Sequence, residues 1–324
     1  MTRDFKPWGA AALAALAFLF AGPAAAQAWP AKPVTIVVPY PAGGATDVIA
    51  RMVAEKAAKD WGQPVVVNNR PGAGTVIGAE SVARAPGDGY TLYMTTAAHT
   101  ISASLYKKLA YDPIKDFAPI TLTSTIPLVL VTTPSLPVKT LADVIAHAKA
   151  NPGLSFASPG NGTPQHLSME LFKAQQKLTL THVPYKGDSP MITDLLGGQV
   201  PMALVTLSAA LPQIKAGKLR AIALAHGRRF ASLPDVPTFA EAGVADFKAA
   251  TWFGLLAPAS LPAELQARIH RDVSRIVGDP AFTAKLVDMG ADVDNSTPQA
   301  FQALIQAESR RWAEAVRLSG AQLD

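Results

Sequence analysis

The chain has 324 residues, of which 49% are hydrophobic and 16% charged, and it contains no cysteine. The charge content lies below the roughly 25% of an average soluble domain, which excludes extended disorder over most of the length. Disulfides, thiolate metal sites, a cysteine nucleophile and thiol-attached cofactors are excluded outright. A net charge of +5 without a Lys/Arg-rich run gives nucleic-acid binding little electrostatic support.

Arg3 and Lys6 precede an apolar stretch from Ala10 to Ala21, and Ala24-Ala25-Ala26-Gln27-Ala28 follows Pro23. The stretch is too short for the about 20 residues that span a bilayer. A charged start, a short apolar core and small-x-small residues mark an export signal, with cleavage expected after Ala28. Residues 1–28 then form a signal peptide, and the mature chain starts at Trp29 outside the cytoplasmic membrane.

Val34–Val38 is a β-branched run that reads as a buried strand. Gly43-Gly44 leads into a helix over Thr46–Asp60, with Val48, Ile49, Met52, Val53 and Ala57 on one face, stopped by Trp61-Gly62. Val65–Val67 is the next strand. Pro71-Gly72-Ala73-Gly74 opens a helix over Val76–Arg84, and the turn Pro86-Gly87-Asp88-Gly89 precedes a strand over Tyr90–Thr95. The rhythm returns after a strand at Leu128–Thr133. Helices are expected at Leu141–Ala150, Gln165–Gln176 and Pro190–Leu196, with strands at Ser155–Ser158, Thr179–Val183 and Met202–Thr206. Further strands are expected at Ala221–Ala225 and Trp252–Ala257. From Leu261 onward the chain reads as amphipathic helix. Strands alternating with helices predict an α/β fold with sheets covered on both faces.

Familiar catalytic signatures are missing. There is no GxSxG elbow, HExxH pair or Walker loop. Gly72-Ala73-Gly74 with Gly78 misses the dinucleotide fingerprint by one residue and has no acidic partner at the required distance, so it reads as a helix-opening turn. His166 and Glu170 stand i,i+4 but lack a visible third metal ligand. Ser158, His166 and Asp188 have the types of a catalytic triad, as scattered residues in most chains of this length do. No catalytic residue, metal site or cofactor is therefore assigned.

A glycine- and hydroxyl-rich turn between strand and helix occurs twice. The first is Tyr40-Pro41-Ala42-Gly43-Gly44-Ala45-Thr46-Asp47, and the second is Ser158-Pro159-Gly160-Asn161-Gly162-Thr163-Pro164-Gln165. Such turns aim unpaired N–H groups, at the positive end of a helix dipole, toward one point. Glycine lets the backbone approach a ligand closely. Two of them, one in each half of the chain, predict an anion site suited to carboxylate or phosphate.

Val37-Val38-Pro39-Tyr40-Pro41-Ala42-Gly43-Gly44-Ala45-Thr46-Asp47, followed by Ala50-Arg51, resembles the opening of the substrate-binding receptors of tripartite tricarboxylate transporters, the Bug proteins. The likeness continues through Asn69-Arg70-Pro71-Gly72-Ala73-Gly74, Pro86-Gly87-Asp88-Gly89-Tyr90-Thr91-Leu92 and Tyr111-Asp112-Pro113. It recurs at Lys115–Pro119, Val183-Pro184-Tyr185-Lys186-Gly187, Leu233–Thr238 and Glu241-Ala242-Gly243, collinear from about Trp29 to the C-terminus.

The resemblance implies a two-domain periplasmic binding protein of the type II, Venus-flytrap kind, with a ligand cleft between its domains. It implies a periplasmic, non-enzymatic receptor that captures a small organic carboxylate and delivers it to one large and one small membrane subunit. In the family the carboxylate is held largely by backbone amides, hydroxyls and waters. Carried over by position, the ligand-binding residues are Tyr40, Pro41, Ala42, Gly43, Gly44, Ala45, Thr46 and Asp47 in the first loop. The second loop supplies Ser158, Gly160, Asn161, Gly162, Thr163 and His166. Thr95–Thr100 and Tyr185–Ser189 are expected to form the remaining walls, with Thr96, His99, Tyr185, Lys186 and Gly187 as their ligand-binding residues. Asp47 serves equally well as a helix-dipole residue, and Lys186 equally well as a solvated one. Members often carry an acidic residue in the strand matching Pro201–Leu207, and this chain has none, which points away from amino acids and toward plain carboxylates.

Residues 29–123 and 250–324 are expected to form domain 1 and residues 124–249 domain 2, joined through Pro119–Val131 and Phe247–Pro258. The receptor is expected to be a monomer without nucleic-acid partners. A ligand sensor for a membrane signalling protein, and a secreted hydrolase using Ser158 or Ser189 with His166, are the alternatives.

Overall fold

The computed structural model describes residues 29–321. The expected signal peptide, residues 1–28, lies outside the described residues. In chain order the first elements are β1 (Val34–Val38), α1 (Ala45–Trp61), β2 (Val65–Asn69), α2 (Val76–Ala83), β3 (Thr91–Thr96), α3 (Ala98–Leu105) and the long β4 (Phe117–Thr132). The middle of the chain holds α4 (Leu141–Ala150), β5 (Leu154–Ser158), α5 (Pro164–Gln176), β6 (Leu180–Pro184), α6 (Asp188–Leu196), β7 (Met202–Thr206), α7 (Leu207–Lys215) and β8 (Arg220–Leu224). β9 (Ala250–Pro258), α8 (Ala263–Val277), α9 (Pro280–Asp288), β10 (Asp292–Val293) and α10 (Pro298–Ser319) complete it.

Local chemistry explains most boundaries. Gly62, at φ 65°, closes α1 in the left-handed conformation that glycine adopts without a Cβ penalty. Thr140 and Asp143 form a reciprocal capping box at α4. Thr297 caps α10, with Pro298 in its first turn.

β1 pairs in parallel with β2 and β3, and β5 in parallel with β6 and β7. Two antiparallel strands join these parallel sets. β4 runs beside β9 from Phe117 to Pro127, then pairs with β7 and β8 from Leu128 to Thr132. β9 in turn pairs with β3. One apolar cluster, including Phe156, Phe172 and Phe239, draws only on residues 128–249. Another, including Tyr93, Phe117 and Phe301, draws only on residues outside that range. The chain is thus an α/β fold of two lobes threaded by β4 and β9.

The C-terminal helix closes the back of the molecule. Fully buried Trp312 on α10 packs with Ile101 and Leu105 of α3 and with Leu167 of α5, so this small core, like the largest apolar cluster, draws on both lobes. Gly162, at φ 72°, sits where a Cβ would collide with Leu105 Cδ2, and only glycine admits that approach.

Candidate ligand-binding cleft

A cavity of about 150 Å³ opens between the lobes. Apolar cavities of this size admit a ring of six carbon atoms, so the space suits a small metabolite rather than an oligomer. Its lining comes from Tyr40–Ala42, Gly44–Thr46, Thr96, Thr251 and Phe253 on one side. Pro159, Thr163–Gln165, Lys186–Pro190 and Thr206 line the other.

Four of these residues are helix N-caps: Gly44 of α1, Thr163 of α5, Gly187 of α6 and Thr206 of α7. A fifth helix, α3, begins two residues after Thr96. Each N-terminus carries partial positive charge and amides without intrahelical partners. One such end contributes about 0.3–1 kcal/mol to a nearby anion, and more where partly buried. Lys186, exposed, is the single basic side chain on the described lining. The positive potential is therefore mainly that of the backbone.

The first turn is held from behind. Asp47 is buried, and its Oδ2 accepts from Arg51 Nε (2.9 Å) and from the Gly43 amide (3.0 Å). Its Oδ1 accepts from Asn69 Nδ2 (2.9 Å), which also donates to the Tyr40 carbonyl (3.0 Å). Burial alone would raise this carboxyl, but hydrogen bonds from Arg51, Gly43 and Asn69 outweigh it and hold the pKa below the ordinary 3.8. Gly43 and Asp47 do not reach the cavity lining, whereas Pro41, Ala42, Gly44, Ala45 and Thr46 do. The Tyr40 hydroxyl shares a 2.8 Å hydrogen bond with Thr96 Oγ1 at the cavity wall. Burial drives this phenol well above its usual range.

The second turn is held by a different set. Ser158 Oγ shares a 2.7 Å hydrogen bond with His182 Nε2, donates to the Gly160 carbonyl and accepts from the Gly160 amide. His182 stacks on His166 with ring centroids 3.9 Å apart, and His166 Nδ1 accepts from the Gly162 amide (3.1 Å). Burial, then the neighbouring His182 and Lys173, lower the His166 pKa to about 3. Burial, then Lys173, lower that of His182 to about 4. The Thr163 hydroxyl donates to the Gly160 carbonyl (2.8 Å) and accepts from the His166 amide (3.3 Å).

Of the residues expected in this loop, only Thr163 lines the cavity, beside Pro159, Pro164 and Gln165. Ser158, Gly160, Gly162 and His166 sit behind it, and Asn161 and His166 face a separate cavity with Glu170 and Lys173. Ser158 meets His182 rather than His166, so the sequence-based Ser158–His166 pair does not form. Ser189 does line the cleft, but no histidine does among the described residues. His166 Nε2 lies 3.9 Å from Glu170 Oε1, and no group of three potential metal ligands occurs among the described residues.

His99 is also placed elsewhere. It is fully buried against Tyr93, Tyr111 and Phe117, with Nε2–H donating to the Pro113 carbonyl (2.7 Å). Burial lowers its pKa to about 4. The Tyr185 hydroxyl donates to Asp194 Oδ2 (2.8 Å), away from the lining, whereas Lys186 and Gly187 lie on it. Thr206, Thr251 and Phe253 line the cavity from outside the expected walls, whereas Asp188 and Ser189 lie on the lining within the expected Tyr185–Ser189 wall. A usable signal existed for Thr206, since a hydroxyl residue between a strand and Leu207-Ser208-Ala209-Ala210 is a helix N-cap.

Comparison with known proteins agrees with this geometry. Residues 49–320 match the model of the tripartite tricarboxylate transporter family receptor. Protein BugT of Bordetella pertussis is 37% identical over 306 residues, covering 94% of each chain. A Rhodopseudomonas palustris protein, Rpa4515 with adipate, superposes with a TM-score of 0.87 at 37% identity, over 91% of this chain and all of that one. MatC from Rhodopseudomonas palustris, solved with bound malate, gives 0.84 at 34% identity over 89% of this chain and all of its own. Four helix N-termini converging between two lobes thus occur on a chain that belongs to the tripartite tricarboxylate transporter receptor family, the Bug proteins.

Proposed function

We propose that the chain is a periplasmic receptor that captures a small organic carboxylate in this cleft and delivers it to a membrane transporter. The observation that carries the reading is the convergence of four helix N-caps on one small cavity whose lining holds no arginine. Backbone amides and dipoles of this kind favour a carboxylate without a buried side-chain cation. The adipate and malate bound by the two relatives fit the same chemistry. In this reading residues 29–123 with 250–324, and residues 124–249, are the moving domains, and β4 and β9 carry the hinge. The mature protein is a monomer beginning at Trp29, which the intact mass of exported protein reads directly.

Thermal-shift screening tests the ligand class. A saturating mono- or dicarboxylate at 100 times its Kd should add about 2.7 kcal/mol of stability. Neutral sugars should add nothing. A sugar or a cation as the only stabilising compound would overturn the reading. Release of the acid chemically unchanged separates a receptor from a hydrolase.

A further inference from the structure

Asp188 is the single acidic side chain on the described cavity lining. It opens α6, directly after Gly187, and its Oδ1 is shut off from solvent without any hydrogen-bond partner. The other carboxylates around the cleft are used: Asp47 accepts three hydrogen bonds and Asp194 takes the Tyr185 hydroxyl. A buried carboxylate oxygen with no donor is costly, and native structures seldom leave one so. Burial pushes this carboxyl up to about 6, and no cation offsets the effect. Thr206 Oγ1, on the same lining, is likewise buried and unpartnered.

We propose that Asp188 is a specificity residue of the cleft, its carboxylate accepting a hydrogen bond from an ammonium or hydroxyl group carried by the bound acid. The inference rests on the carboxylate reading above and narrows it. The helix N-termini hold the ligand carboxylate, and Asp188 holds a donor elsewhere on the same molecule. Two groups of opposite polarity then fix the ligand's orientation as well as its charge. The sequence-based preference for plain carboxylates came from the absence of an acid in Pro201–Leu207. The fold brings one to the cleft from α6 instead, which removes the ground for that preference.

The test is calorimetric titration at pH 8 with acids of matched length: succinate, L-malate and L-aspartate, then glutarate, 2-hydroxyglutarate and L-glutamate. At least one donor-bearing acid should bind at least tenfold tighter than the plain acid of its length. Asp188→Ala should shrink that ratio below threefold, and Asp188→Asn should weaken the ammonium ligand more than the hydroxyl ligand. Ligand-free melting of both variants at pH 8 should match or exceed that of the unsubstituted protein, because an unpaired buried charge is removed. Plain acids binding as tightly as their donor-bearing partners, or a preference that survives in both variants, would overturn the role of Asp188 and leave the receptor reading standing. Failure of every carboxylate to bind would overturn the receptor reading and this inference with it.

Discussion

The turn at Tyr40–Asp47 is anchored by one ionised carboxylate, whereas the turn at Ser158–His166 is anchored by two neutral, stacked imidazoles and two hydroxyls. Both lead a strand into a helix, and both present an N-terminus to the same cavity. Asp47 gathers Gly43, Asn69 and Arg51 from behind the first turn, while Pro41, Ala42 and Gly44–Thr46 line the ligand space. In the second turn Ser158, Thr163 and His166 spend their polar atoms on Gly160, Gly162, His182 and each other. A hydroxyl-rich sequence is therefore no measure of how many hydroxyls reach a ligand. The common element is the dipole and amides of the helix that each turn starts.

The largest effect is expected at the carboxylate anchor. Asp47→Ala leaves the Gly43 amide without its acceptor and Asn69 Nδ2 with the Tyr40 carbonyl alone, while exposed Arg51 keeps only Asn69 Oδ1 and water. Loss of buried hydrogen bonds to a charged group should cost about 2–4 kcal/mol, lowering Tm by roughly 5–10 °C. Carboxylate affinity should fall more than tenfold, because Gly44–Thr46 lose their fixed direction. Thermal melts and titrations of the variant check this. A cost under about 1 kcal/mol would show that the turn is held by something other than Asp47.

A smaller effect separates the turns by acid. His166 and His182 have folded pKa values of about 3 and about 4, below the ordinary 6.5. Their contribution to stability is complete above pH 6.5 and is lost as pH falls from 6.5 toward 4. Asp47 is lowered from 3.8, so its contribution is complete above that pH and is lost only below it. At pH 5 the second turn should have lost about 1–3 kcal/mol of opening free energy while the first is unchanged. His99 carries the same sign into α3, so the comparison is confined to peptides covering the two turns. Hydrogen exchange followed by mass spectrometry, corrected for intrinsic rates, reads both. Parallel loss of protection in the two turns between pH 6.5 and 4 would remove the distinction.

The parts of the fold written in local chemistry were legible in the sequence. Leu141–Ala150 carries its capping box, and Met202–Thr206 is a short apolar run with a clean start at Pro201; both boundaries match the structure. What escaped was set by tertiary packing. Only Leu128–Thr133 reads as a strand there, yet β4 is a strand of 16 residues that runs through Pro119 and Pro127 and threads both lobes. Ala98–Leu105 has no side-chain cap and is helical because Ile101 and Leu105 meet Trp312. Leu207–Lys215 contains Pro212, which hides it from a breaker rule. In the cleft, the first turn and Lys186-Gly187 were visible as motifs. Asp188 falls within the expected Tyr185–Ser189 wall, but that it is the single carboxylate on the described lining was set by the fold. Ser158 is a polar residue inside a motif and His99 one expected in a wall, but neighbours from other segments, His182 and Pro113, absorb them.

The smallest effect decides what Thr163 is for. Its side chain lines the cavity, yet its hydroxyl proton goes to the Gly160 carbonyl and its lone pair to the His166 amide. Both bonds lie within the turn, so the hydroxyl acts as the N-cap of α5. Thr163→Val keeps the shape and removes the cap, which should cost about 1 kcal/mol of stability. Carboxylate affinity should change less than threefold, because the α5 dipole and the Gln165 amide remain in place. A hydroxyl turned instead toward a bound carboxylate would be worth about 1.5–3 kcal/mol, or roughly 10- to 100-fold in affinity. Titration of the two proteins beside their ligand-free melts distinguishes these outcomes. A tenfold loss of affinity at unchanged Tm would mean that the Thr163–Gly160 bond breaks when ligand enters, and that the second turn contributes a hydroxyl after all. A lowered Tm at unchanged affinity would leave both turns acting on the ligand through their backbones, differing only in how those backbones are held.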